Sequence, residues 1–134
     1  MIDLVKMRWL IRRVPKLLWD IEQKNAKATR ITTVITGMPG NHSSNRSQTE
    51  DGAIMLVAAK DAYREAIAEL DAMRKELAPI IDTLDDPDEK AVARMRYMHG
   101  YDPDEIAQAI NYHPRTVYRK LKRAERKLLD KSCQ

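Results

Sequence analysis

Residues 86–129 read DPDEKAVARMRYMHGYDPDEIAQAINYHPRTVYRKLKRAERKLL, and this stretch decides the fold of the chain. It predicts three short helices, because it contains the same helix-start signal twice. Asp86 and Asp102 each stand directly before a proline and three residues before a glutamate. Such an aspartate accepts backbone N–H groups at the N-cap, and the proline after it already has a helical φ.

The ends of these helices are marked as well. Gly100 predicts the left-handed residue that ends the first helix. Pro114 opens the third helix, after a link in which Asn111 replaces the usual glycine and His113 replaces the usual serine or threonine cap. Asparagine also tolerates a positive φ. A short helix, a tight turn and a basic helix together indicate a helix-turn-helix.

The third helix is predicted to have one apolar side and one basic side, because an α-helix has 3.6 residues per turn. The apolar stripe consists of Val117, Leu121, Ala124 and Leu128. The opposite side carries Arg115, Arg119, Lys122 and Arg126, with Thr116 and Arg123 beside them. Between Pro114 and Lys131 eight residues are basic and two are acidic, a local charge of +6. A solvated helix face usually mixes both signs, so this stripe favours nucleic-acid binding over a three-helix cap without a ligand.

The motifs of this stretch also occur in a known family. They are Arg96-Tyr97, Gly100, Glu105-Ile106-Ala107, Thr116-Val117 and Arg123-Ala124. With them the stretch resembles region 4 of sigma-70-type factors, and it is most similar to the small phage-encoded regulators of the ArpU and RinA type. Those regulators place such a segment behind a helical N-terminal half. The resemblance implies a sequence-specific, double-stranded DNA-binding transcription regulator.

The roles of individual residues follow from this hypothesis. The helix that begins at Pro114 is expected to enter the major groove of DNA. Arginine suits guanine, and the residues nearest the helix start are the candidates for contacts with base edges: Arg115, Thr116 and Arg119. The candidates for phosphate contacts are Lys120, Lys122, Arg123 and Arg126.

The N-terminal half predicts two long amphipathic helices. In residues 2–29 a heptad seam comprises Leu4, Met7, Ile11, Val14, Leu18, Ile21, Asn25 and Ala28. In residues 52–84 a longer seam comprises Leu56, Ala59, Tyr63, Ala66, Leu70, Met73, Leu77, Ile80 and Leu84. Such seams predict coiled-coil-like packing, either as an antiparallel hairpin or against a second copy of the chain. We expect a homodimer or higher homo-oligomer that contains both kinds of contact.

Residues 31–51 separate these helices. They lack helical periodicity and are rich in Thr, Ser, Gly and Asn, which predicts a long loop. The expected organisation is therefore a helical hairpin and oligomerisation region at 1–84, followed by a helix-turn-helix DNA-binding domain at 85–134.

Composition narrows the class of protein further. The chain has 134 residues, no phenylalanine and a net charge of +4, and it is rich in helix-forming residues, which predicts an all-α protein. A single cysteine, Cys133, excludes a disulfide framework and a cysteine-based zinc site. The apolar runs are too short to span a membrane, so we expect a cytoplasmic protein, in the host cell if it is phage-encoded.

No catalytic constellation is recognisable, and we expect neither an enzyme nor a cofactor. The four glycines are scattered, and the paired carboxylates stand at helix starts, where capping explains them. Two alternatives to a transcription regulator stay open. One is a DNA-packaging subunit similar to the small terminase subunit of phages; the other is a sigma-like partner of RNA polymerase.

Overall fold

The computed structural model describes the backbone of residues 2–37 and 42–133, and the side chains of residues 2–26 and 52–133. In these ranges every regular element is helical and no strand occurs, which confirms the predicted all-α class. The helices are α1 (Leu4–Gly37), α2 (His42–Asp82), α3 (Pro87–Ala93), α4 (Pro103–Ile110) and α5 (Pro114–Ser132). A π-helical turn, Arg94–Met98, continues α3 directly.

The two long helices extend further than the sequence predicted. Residues 31–37 belong to α1 and residues 42–51 to α2, so the prediction of a long loop over 31–51 is wrong at these positions. The remainder of that predicted loop, residues 38–41, lies outside the described residues. Thr, Ser and Asn each cost only a few tenths of a kcal/mol in a helix, and a helix that has already nucleated propagates at low cost. Pro15 likewise lies inside α1 without ending it.

The chain folds as two compact units. One consists of Met1–Ile11 together with Glu69–Gln134, and the other of Arg12–Ala68. Both units therefore take residues from α1 and α2. The predicted functional division at residues 84 and 85 does not coincide with these units and stays a prediction.

The first unit has a core built around α5. Val92 of α3, Ile106 and Ala107 of α4, and Val117 and Leu121 of α5 are buried together, with Met95 and Ile110 packed against them. Fully burying one aliphatic side chain of this kind stabilises a fold by about 1.5–3 kcal/mol. The core therefore holds α5 by its apolar stripe.

The first residues of the chain belong to this unit too. Ion pairing joins Lys6 to Glu69 of α2. The apolar side of this segment is buried, at Ile2, Leu4, Met7, Leu10 and Ile11. Its part of the predicted heptad seam is therefore covered within the unit.

The aspartate caps of α3 and α4 form as the sequence predicted, but the glutamate reaches back to the N-cap only in α4, because Glu89 of α3 pairs with Lys127. The Asp86 carboxylate accepts the Asp88 N–H at 2.8 Å. Asp102 accepts the Glu105 N–H at 2.8 Å, and Glu105 accepts the Asp102 N–H at 3.3 Å, which completes a capping box. These bonds fix where each short helix begins.

The π-helical turn ends at a glycine with a positive φ. The His99 N–H donates to the Arg94 carbonyl at 3.2 Å, five residues back, and Gly100 follows with a φ of +76°. A side chain at Gly100 would have room, since its Cβ would lie 3.5 Å from Ile11 Cγ2, but the positive φ would strain the backbone of any other residue. Arg74 Nε donates to the Tyr97 carbonyl at 2.8 Å, so α2 supports this turn directly.

No helix in the described ranges is both long enough and apolar enough to cross a bilayer.

Candidate nucleic-acid interface

The link after α4 and the first residue of α5 determine where α5 begins. Asn111 adopts the left-handed conformation with a φ of 59° and ends α4, as predicted for this position. His113 is extended, and its Nδ1 accepts the Arg115 N–H at 3.2 Å. This bond gives a partner to one of the backbone N–H groups that the first turn of a helix leaves free. Pro114 then supplies the first helical residue.

α5 has a buried side and an exposed side, as its sequence predicted. The four residues of the predicted apolar stripe are all buried, and Thr116 is half-buried. Six basic side chains of α5 are exposed, and Lys127 is one of them, but it is ion-paired with Glu89. The other five are Arg115, Arg119, Lys122, Arg123 and Arg126. We call these five residues the free basic face.

No hydrogen bond or ion pair engages the side chains of the free basic face within the described ranges. All five line one open surface groove. Tyr118 lines the same groove and is 48% exposed. Tyr118 was not among the predicted site residues, although its spacing of three residues from Arg115 and four from Lys122 places it beside them.

Two other cations of α5 are engaged by neighbouring elements. Lys127 Nζ lies 2.6 Å from Oε2 of Glu89, a carboxylate of α3 that is only 3% exposed. Lys131 Nζ donates to the Thr83 carbonyl at 2.7 Å and to its hydroxyl at 3.0 Å. The Glu89 carboxylate therefore compensates the charge of Lys127, whereas Lys131 is held by two neutral oxygens and keeps its charge.

Lys120 is engaged in the same way, although the sequence assigned it to phosphate contacts. Its Nζ lies 3.1 Å from Oδ2 of Asp88, and its side chain is 18% exposed. The same Nζ lies 6.0 Å from the ring centroid of Tyr112, whose hydroxyl donates to the Asp88 carboxylate at 3.2 Å. The structure therefore places Lys120 in a small cluster beside the link, apart from the free basic face.

The other flank of α5 carries Glu125, which is held by Tyr97 and Arg8, two residues that were not predicted to belong to the site. The Tyr97 hydroxyl donates to Glu125 Oε1 at 2.7 Å, and Arg8 Nη1 donates to the Tyr97 hydroxyl at 3.0 Å. Arg8 Nη1 also lies 3.4 Å from Glu125 Oε1. Burial and the neighbouring Glu125 charge raise the pKa of the Tyr97 phenol above its ordinary value, so Tyr97 stays a neutral donor.

The acidic residues at the starts of α3 and α4 are used as caps. The Asp88 N–H lowers the pKa of Asp86, and the Glu105 N–H lowers the pKa of Asp102. The backbone donors therefore keep both carboxylates ionised to a lower pH than an ordinary aspartate. Neither has an ion pair with the free basic face within the described residues.

In the described ranges the protein is all-helical, and α5, anchored by its apolar side, carries a cationic face whose side chains contact no partner there. The family model that matches is DUF1492, described as a protein of unknown function, over residues 40–129. The match covers more than half of the chain, so the chain belongs to the DUF1492 family. It contains α3, α4 and most of α5, whereas residues 2–11 lie outside it. No curated protein and no solved structure matches the chain.

Proposed function

We propose that this protein is a sequence-specific, double-stranded DNA-binding transcription regulator, and that α5 reads the DNA. One observation carries the proposal: five cations without partners among the described residues share one face of α5, while its other cations are engaged in the fold. A concentrated positive face of this kind attracts a polyanion and releases the counterions of its phosphates. The resemblance to phage regulators of the ArpU and RinA type supports the same role.

The dimensions of α5 suit this role. We propose that α4, the link and α5 act as a helix-turn-helix, with α5 as the recognition helix. From Arg115 to Arg126 the free basic face extends about 16 Å, since a helix rises 1.5 Å per residue. The major groove is roughly 12 Å wide and admits an α-helix. A helix held only by its opposite side can enter the groove without unfolding its core contacts.

The proposed DNA contacts, which comprise the free basic face and the half-buried Thr116, divide by their position along α5. Arg115, Thr116 and Arg119 lie in its first two turns and are assigned to base edges, where an arginine can bind guanine O6 and N7 together. Lys122, Arg123 and Arg126 lie further along and are assigned to phosphates. Lys120 is left out of this set, because Asp88 already neutralises it.

The proposal includes a second copy of the chain, in contact through the helices of the 2–29 and 52–84 regions. Its support lies in the second unit, where several large apolar side chains are 42–67% exposed, namely Leu18, Trp19, Ile54, Met55 and Val57. Residues 2–11 are packed within the first unit, so we assign the contact to the segments beyond them. A dimer would place two recognition helices on paired half-sites, and the two together would bind more tightly than one helix alone.

The test is selection of bound duplexes from a random DNA pool by the full-length protein, with the oligomeric state measured by light scattering in parallel. We expect an enriched palindromic site and a dimer. The Arg119→Ala protein serves as the matched comparison and should enrich a less defined site. Binding to all duplexes without enrichment would contradict the proposed sequence specificity. Absence of duplex binding would contradict DNA binding itself. Ring-sized assemblies would favour a DNA-packaging subunit instead.

A further inference from the structure

Glu125 is the one acidic residue in the part of α5 that carries the free basic face, between Arg115 and Arg126. It follows Lys122 by three residues, a spacing at which a glutamate and a lysine on a helix attract each other. Within the described residues, however, no ion pair joins Glu125 to Lys122. The Glu125 carboxylate is directed to Tyr97 and Arg8 instead, at 2.7 Å and 3.4 Å from Oε1.

The three side chains form a closed and partly shielded group. Tyr97 is fully buried, and the side chains of Arg8 and Glu125 are 29% and 25% exposed. The Tyr97 hydroxyl both accepts from Arg8 and donates to Glu125. Arg8 is itself placed by α1, because Met7, one residue before it, and Leu10, two residues after it, are buried in the same unit.

We propose that Arg8 is a positioning residue for DNA binding, which holds Glu125 away from Lys122 so that Lys122 stays available to a phosphate. The inference rests on the proposed function of α5. It extends the DNA-binding unit to the first turns of α1, which lie outside the matched family stretch. Without the Arg8 charge, Glu125 pairs with Lys122, and the free basic face loses one of its five cations.

The experiment uses the full-length protein and measures duplex affinity by fluorescence anisotropy over a series of salt concentrations. In Arg8→Met the slope of log affinity against log salt should become shallower by about one per protomer, with a roughly three- to tenfold loss of affinity at low salt. In the double variant Arg8→Met with Glu125→Gln the slope should return to the wild-type value, because no carboxylate remains to pair with Lys122. Arg8→Lys retains the charge and should behave as wild type.

Controls separate this mechanism from a loss of folding or of basic charge in general. Arg12→Met removes an exposed charge one turn further along α1 and should leave the slope unchanged. Urea unfolding verifies that each variant is folded, and Arg8→Gln, which keeps a hydrogen-bond donor, replaces Arg8→Met if the latter does not fold.

Two results would overturn the inference. One is an unchanged slope in folded Arg8→Met or Arg8→Gln protein. The other is a reduced slope that persists in the double variant, because that would mean Arg8 acts only through the stability of the unit. Failure of the proposed function is distinguishable from both, since wild-type protein would then bind no duplex in the same titration.

Discussion

The cations of α5 carry the same charge but occupy two different environments. Lys120, Lys127 and Lys131 contact Asp88, Glu89 and Thr83 of the preceding segments. The five residues of the free basic face have no such partners in the described part of the chain. A count of basic residues therefore overstates the charge that a ligand can use. The relevant property is whether the fold already engages a cation, with a carboxylate for Lys120 and Lys127 and with neutral oxygens for Lys131.

The two sets also differ in chemistry. Those that the fold engages are lysines, whereas four of the five on the free basic face are arginines. A guanidinium presents a planar fork of donors that matches guanine or a phosphate with two bonds, and a lysine acts as a point charge. The residue types thus agree with the division that the contacts make.

The largest expected effect on stability comes from removing Lys127, which is ion-paired with Glu89. Lys127→Ala leaves Glu89 as an uncompensated carboxylate that is 3% exposed. Removing one partner of a buried pair costs about 3–5 kcal/mol, and we expect about 2 kcal/mol because the Lys127 side chain is 48% exposed. Urea unfolding measures the change in the free energy of unfolding. Lys122→Ala is the control and should stay within about 0.5 kcal/mol. Equal stability of the two variants would contradict the distinction between cations that the fold engages and those of the free basic face.

The next effect concerns the free basic face itself. Arg119→Ala should relax the preference of the protein for its selected site by about 1–3 kcal/mol, the range for one well-formed arginine–guanine contact. Its free energy of unfolding should stay close to that of the wild type, because Arg119 has no partner within the described residues. Competition between the selected duplex and a scrambled one measures the preference. A preserved preference would mean that bases are read elsewhere.

The next prediction concerns a carboxylate at a helix cap, where backbone N–H groups, and not a side chain of opposite charge, bind the charged group. The pKa of Asp102 is lowered in the folded chain by the Glu105 N–H, so its contribution to stability is present above the unfolded value of about 3.9 and is lost as pH falls. Asp102→Ala should cost about 1 kcal/mol at neutral pH. Asp102→Asn keeps the capping oxygen but does not titrate. Its urea midpoint should therefore fall less steeply below about pH 4, and a slope equal to that of wild type would argue against the cap.

The smallest effect concerns Lys120, which the sequence assigned to DNA and the structure pairs with Asp88. Lys120→Ala should lower the free energy of unfolding by about 0.5 kcal/mol, as expected for a pair of partly exposed side chains. Its affinity for a duplex should stay within about twofold of the wild-type value. Arg123→Ala provides the comparison and should lose several-fold. If both variants lost affinity alike, Lys120 would return to the DNA-binding set.

Much of this architecture is local and was therefore predictable. The caps at Asp86 and Asp102, the positive φ at Gly100 and Asn111, and the buried stripe of α5 each depend on residues within a few positions of one another. The periodicity of a helix is sufficient to separate its apolar side from its basic side. These features were read correctly from residue type and spacing.

The remainder depends on contacts between distant parts of the chain. Lys127 and Glu89 are 38 residues apart, and Arg8 and Tyr97 are 89 apart. No local pattern tells which lysine will meet a carboxylate, or that residues 2–11 will pack with the C-terminal helices. The predicted loop over 31–51 failed for a related reason. Its weak helix formers indicated a break, but single-residue propensities are too small to decide against a helix.

We propose that the free basic face, and not the total charge of α5, binds DNA. The most direct measurement is the salt dependence of duplex affinity for wild type, Lys122→Ala and Lys127→Ala, all under conditions in which the proteins are folded. Lys122→Ala should make the slope of log affinity against log salt shallower by about one per protomer and weaken all duplexes alike. Lys127→Ala should retain the wild-type slope. An equal slope in all three proteins would contradict the claim.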